Sequence, residues 1–139
     1  MDNKQLIREL ELLLQVNRDA VRVYDTAIAK MDDSDVKNDL KTIREEHSRH
    51  INALSKLIDE LGGPEPLSEL PAFDIDISGT ASAIDDATTT HQILDALSQM
   101  EEIATGRYKE VVKNTFSGHI KDLLKDMYDD EKRHKKILV

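Results

Sequence analysis

The chain has no cysteine and no tryptophan, and only two phenylalanines, three tyrosines, three prolines and five glycines in 139 residues. Without cysteine there are no disulfides and no thiolate metal sites. Few aromatics, and prolines gathered in one stretch, argue against a β-sandwich. Lysine and arginine (19) are outnumbered by aspartate and glutamate (28), for a formal net charge of −9. That balance excludes nucleic acid as a partner, because phosphate binding needs clustered cations. The one basic cluster, KRHKK at 132–136, sits at a helix C-terminus, where cations complement the dipole. No apolar run approaches the ~20 residues of a membrane-spanning helix, and MDNKQLIREL carries no apolar signal stretch. A cytoplasmic protein without a membrane partner is expected. No phosphate loop, nucleophile triad or zinc-protease signature is visible. What is abundant is Leu, Ala, Ile, Lys, Glu and Asp, the composition of an all-α protein, in a chain (1–139) expected to form one domain with a substantial core.

Hydrophobic spacing places the helices. Residues 3–31 carry Leu6, Leu10, Leu13, Ala20, Tyr24, Ala27 and Met31 in steps of three and four, which is one helical face. MDDS at 31–34 interrupts it, with Asp33 or Ser34 suited to cap the next helix. The second run, Val36, Leu40, Ile43, Leu54, Leu57 and Leu61, ends at Gly62-Gly63-Pro64, a glycine stop followed by a residue that cannot continue the helix. Residues 62–79 hold all three prolines and read as an extended connection, with a short helix starting near Thr80 and the connection closing by 81. The third main helix is expected over roughly 82–115, with Leu94, Leu97, Ala104, Tyr108 and Val111 in phase. Ser117-Gly118 turns into the last helix, with Ile120, Leu124, Met127 and Leu138.

The hairpins 3–61 and 82–138 match at a constant offset of 84, Tyr24 falling on Tyr108, Arg49-His50 on Arg133-His134 and Leu54 on Leu138. An internal duplication is therefore expected. An up-down-up-down bundle needs only a short central loop. An extended segment of about 18 residues reaches about 60 Å, enough to run the length of a helix of about 28 residues. The connection then crosses over, leaves the second and third main helices parallel and relates the hairpins by a pseudo-two-fold axis. Its Leu67, Leu70, Phe73 and Ile75 are apolar enough to pack on the bundle or on a partner.

Each apolar stripe carries polar residues near its middle: Asn17 in the first helix, His47 and His50 in the second, Glu101 in the third, Glu131 and His134 in the last. All six are expected at one level of the bundle. Burying unpaired carboxylates costs several kcal/mol each. A cation removes that cost, and carboxylate with imidazole suits iron, manganese or zinc. Glu131 and His134 are three apart, so one helical turn aims both at one spot. Glu46 and Asp130 lie one step off the stripe, as supporting or solvent-facing residues. Arg49 and Arg133 are expected to pair with Glu45 and Asp129, four residues earlier. His91 and His119 are expected in solvent, Thr88-Thr89-Thr90 at a helix start or loop.

This arrangement resembles the ferritin-like superfamily, the duplicated helical hairpin of rubrerythrins and ferritins, and among them its small bacterial members. In that family the first helix of a hairpin supplies a Glu with a Tyr seven residues later, and the second supplies Glu-x-x-His. Glu101, Tyr108, Glu131 and His134 match one half in full. Tyr24 and His50 match the other, where Asn17 and His47 stand in place of the glutamates. The resemblance implies a four-helix bundle with a long crossover connection between helices 2 and 3, and a divalent metal ion, iron foremost with zinc or manganese as alternatives. It further implies iron-handling or oxidative chemistry and side-by-side pairing as a homodimer. The expected metal ligands are His47, His50, Glu101, Glu131 and His134; no catalytic residue is assigned. With two carboxylates where the family's dimetal site has four, binding is favoured over catalysis. The alternative is a metal-free interaction or structural module whose polar layer closes by His–Glu hydrogen bonds, with the hydroxyls of Tyr24 and Tyr108 joining it.

Overall fold

A computed structural model describes residues 2–64, 73–115 and 118–138. Among these it has five helices and no strand: α1 (Asn3–Lys30), α2 (Ser34–Glu60), α3 (Ile75–Asp86), α4 (Thr90–Asn114) and α5 (His119–Ile137). Their ends follow from local chemistry. The Asp2 carboxylate accepts from the Gln5 N–H while the Gln5 side chain accepts from the Asp2 N–H, a closed capping box on α1. Asp33 caps α2 by accepting from the N–H groups of Asp35 and Val36. α2 stops where Gly62 takes φ 80°, the left-handed turn that glycine adopts without strain. The threonine run starts α4: the Thr89 hydroxyl accepts from the Gln92 N–H, and Gln92 accepts from the N–H of Thr88 and Thr89.

The connection departs from the sequence expectation. It is not extended through 79, and the third main helix starts at Thr90 rather than near 82, because α3 occupies residues 75–86. Gly79 in its middle and a thin apolar pattern give α3 little intrinsic helicity. Tertiary contacts supply the rest. Ile77 and Ile84 are fully buried. Asp74 caps the first turn through the Asp76 N–H and is gripped by Arg107 at 2.9 Å. Buried Asp19 accepts from the Asp74 N–H at 2.9 Å. At the far end the Lys30 ammonium donates to the carbonyls of Ile84 and Asp85, closing a helix C-terminus with a cation. Phe73 packs on the bundle, with the Arg22 guanidinium 3.9 Å from its ring centre. Leu67, Leu70 and Ser117 lie outside the described residues.

The crossover is made in two stages. The connection leaves α2 beside Ile7, close to Gly63, and reappears at Asp74 beside Asp19 of α1. α3 then carries the chain to the level of Lys30. Two apolar clusters show the result. One joins the C-terminal half of α1 and the N-terminal halves of α2 and α4 to α3 and Leu138; the other joins the opposite halves of α1, α2 and α4 to the start of α5. α2 and α4 therefore run parallel, as the crossover requires. Leu10, Leu40, Leu54, Leu97 and Leu124 are fully buried; truncating one to Ala typically costs about 2–5 kcal/mol. No described helix is long and apolar enough to cross a membrane.

Candidate metal centre

Between the two clusters lies a polar layer. Asn17, His47, Glu101, Glu131 and His134 are fully buried and His50 is 4% exposed, so the six interruptions of the apolar stripes do meet at one level.

Asn17 is oriented by its own backbone. Its amide nitrogen donates to Leu13 O at 2.8 Å and to the Tyr108 hydroxyl at 2.7 Å, which turns Oδ1 toward His47 Nδ1, 2.8 Å away. On its other edge His47 Nε2 sits 2.8 Å from Glu101 Oε1. With an amide oxygen on one side and a carboxylate on the other, both ring nitrogens of His47 donate. Burial works against that imidazolium, but the carboxylates of Glu131 and Glu101 outweigh it and raise the His47 pKa. Burial likewise opposes the charge on Glu101, yet His47 and the groups around it hold the carboxyl well below its usual range. The Tyr24 hydroxyl donates to the same Glu101 Oε1 at 2.6 Å. Burial foremost pushes both Tyr24 and Tyr108 well above the ordinary phenol value, so both act as neutral hydrogen-bonding groups.

The two histidines of corresponding position are held by acids from the opposite hairpin. His134 Nε2 meets Glu46, and His50 Nε2 meets Asp130 Oδ2 at 2.8 Å. Arg133 donates to both Glu46 and Asp130, and Arg49 lies 3.8 Å from Glu46. The arginines therefore pair with Glu46 and Asp130, not with Glu45 and Asp129. Those are taken by Arg44 and Lys132; three residues apart on a helix, like four, brings side chains together. Burial disfavours the His134 imidazolium, but the facing carboxylates of Glu101 and Glu131 push its pKa up to about 10.

Four buried polar atoms in this layer have no hydrogen-bond partner: Glu101 Oε2, both oxygens of Glu131, and His134 Nδ1. Such atoms are costly unless an ion or water meets them. His134 Nδ1 lies 3.6 Å from Glu101 Oε2 and 3.5 Å from Glu131 Oε2. A four-coordinate ion about 2.1 Å from each ligand holds its ligands about 3.4 Å apart, so the spacing suits a metal. Glu46 on His134 Nε2 is the outer partner that directs the other ring nitrogen inward. One ligand atom each from His47, Glu101, Glu131 and His134 falls within 4.8 Å of all the others. His50, expected in the same set, is not in that group; its Nδ1 is 3.3 Å from Glu131 Oε1. His91 and His119 are exposed.

Sequence reasoning missed Asp19, a buried acid bonded to Gln15 and to the α3 N-terminus. It lies just before Ala20 on the α1 stripe, and nothing in the local pattern marks its partner 55 residues away.

A helical bundle with a crossover and a buried His/Glu layer is the ferritin-like architecture. Among solved structures, the chain is similar to the dodecameric thioferritin of Bacteroides fragilis, a bacterioferritin-related protein, with a TM-score of 0.80 and 21% identity over 99% of this chain and 84% of that one. The chain belongs to the family described as a domain of unknown function, DUF2383, whose model matches residues 5–114. No curated protein matches it.

Proposed function

We propose that this protein holds a divalent cation in its central layer, with iron as the natural ion and iron-handling or oxidative chemistry as its setting. The observation that carries this reading is the set of unpartnered buried atoms on Glu101, Glu131 and His134, which converge beside His47 at ligand spacing. Bound iron would supply redox chemistry. The chain's own part is to exclude water with two flanking apolar clusters, to hold Glu101 through Tyr24 and His47, and to orient His134 through Glu46. The layer's contacts repeat at the 84-residue offset, since Tyr24–Glu101 corresponds to Tyr108–Asn17 and His134–Glu46 to His50–Asp130. That correspondence supports a duplicated hairpin. The reading further takes the chain as one domain that acts in the cytoplasm as a homodimer or larger assembly; the similar thioferritin is dodecameric.

The test is metal analysis of untagged protein after aerobic iron loading, beside a Glu131→Ala/His134→Ala variant. Bound iron, zinc or manganese that disappears in the variant is expected. A competing reading, a metal-free interaction module, draws on the closed Asn17–His47–Glu101 chain. Absence of metal in the loaded wild type decides for it.

A further inference from the structure

The two halves of the layer share a scaffold but not a bonding state. The supporting contacts occur on both sides: a tyrosine hydroxyl on position 17 or its counterpart Glu101, and an acid of the opposite hairpin on each outer histidine. The unpartnered atoms do not. All of them belong to Glu101, Glu131 and His134, from α4 and α5; none belongs to Asn17, His47 or His50. Glu101 and His134 divide their atoms between the halves, while both oxygens of Glu131 lack a hydrogen-bond partner. Glu101 gives Oε1 to Tyr24 and His47 and leaves Oε2 free. His134 gives Nε2 to Glu46 and leaves Nδ1 free. In the other half, Asn17 spends its amide on Leu13, Tyr108 and His47, and both nitrogens of His47 are engaged at 2.8 Å. His47 is thus satisfied without an ion, whereas one ring nitrogen of His134 is not.

Resting on the metal reading above, we infer that the layer holds one cation rather than two. It sits in the α4/α5 half on Glu101 Oε2, Glu131 and His134 Nδ1. Asn17 and His47 fill the second ion's place as a hydrogen-bonded unit, with His47 positioning Glu101 instead of ligating. Because the scaffold is present on both sides, residues 17 and 47 alone decide the count.

The experiment is titration of metal-free, full-length protein with Co²⁺, read by visible absorption and by equivalents bound, with Glu131→Ala/His134→Ala as the blank for surface histidines. Wild type is expected to take one equivalent. His47→Gln, which keeps a donor for Glu101, is expected to take one equivalent with an unchanged spectrum. Asn17→Glu/His47→Glu is expected to take two. Two equivalents in wild type, a spectrum altered by His47→Gln, or a double-glutamate variant that folds and stays at one equivalent each overturn the inference while leaving the metal reading intact. No binding above the blank in wild type overturns the metal reading itself. If the double-glutamate variant does not fold, the wild-type count and the His47→Gln spectrum decide.

Discussion

The N-terminal hairpin brings an amide and two imidazoles to the centre of the bundle, and the C-terminal hairpin brings two carboxylates and one imidazole. The positions correspond and the outer supports correspond, yet the buried atoms without a hydrogen-bond partner all belong to the C-terminal hairpin. Scaffold and chemistry are thus separable here. Helix register sets where six side chains meet, and the identity of the residues at corresponding positions sets which polar atoms are bonded within the layer.

The largest effect expected from breaking that contrast is on ligand-linked stability. A cation at about 100 times its Kd adds about 2.7 kcal/mol to the folded state, which for a chain of this size is a Tm rise of roughly 5–15 °C. Glu131→Ala/His134→Ala should abolish the metal-induced rise in a thermal melt, whereas His50→Leu, outside the four-residue cluster, should keep most of it. A full rise in the first variant would place the ion elsewhere.

Comparable in size is the pH response of chelator-treated protein. The carboxylates of Glu101 and Glu131, against the opposing effect of burial, raise His134 to about 10, from about 6.5 in the unfolded chain. A base whose pKa is higher when folded stabilises fully below the unfolded value and loses that contribution as pH climbs through the folded one. The unfolding free energy from urea titration should therefore fall between about pH 7 and about pH 10 by an amount on the order of a few kcal/mol, with a smaller fall in His134→Leu, where His47 keeps its raised pKa.

The tyrosines sharpen the comparison at smaller scale. Tyr24 donates to a carboxylate and Tyr108 meets an amide. Hydrogen bonds to charged groups contribute about 1.5–3 kcal/mol and neutral ones about 0.5–1.5 kcal/mol, so Tyr24→Phe should destabilise the metal-free protein more than Tyr108→Phe in denaturant titration. Equal losses would remove the asymmetry from the energetics. Smallest is Lys30→Ala, which should loosen α3 by about 0.3–1 kcal/mol, seen as faster amide exchange in residues 75–86 with little change elsewhere.

Much of this was legible in the sequence. The long stripes placed α1, α2, α4 and α5 within a few residues, apart from the α4 start, and the interruptions of those stripes named the six residues of the layer. The extent of α3 was the main error, a short helix being expected from near Thr80 instead of Ile75–Asp86, because its ends are set by Asp19, Lys30 and Arg107, all distant in sequence. Ring-nitrogen direction was also out of reach. Spacing puts His47 and His50 on one face, but which atoms they spend, and on what, depends on Asn17 and Asp130 across the bundle. The acids just off the stripe, Glu46 and Asp130, were recognisable as supports but not as partners of the opposite hairpin's histidine.

The polar layer also has a consequence for how the hairpins find each other. Apolar stripes of similar spacing tolerate sliding, since one heptad resembles the next. Shifting one hairpin by a single heptad, about 10.5 Å, would set Glu101 and Glu131 against the leucines of one flanking cluster. It would also strip His134 and His50 of Glu46 and Asp130. Each misplaced carboxylate costs several kcal/mol, comparable to the whole margin by which a domain is folded. The layer therefore serves as an alignment key, fixing the vertical register of two helical pairs that hydrophobic packing alone would leave free to slip.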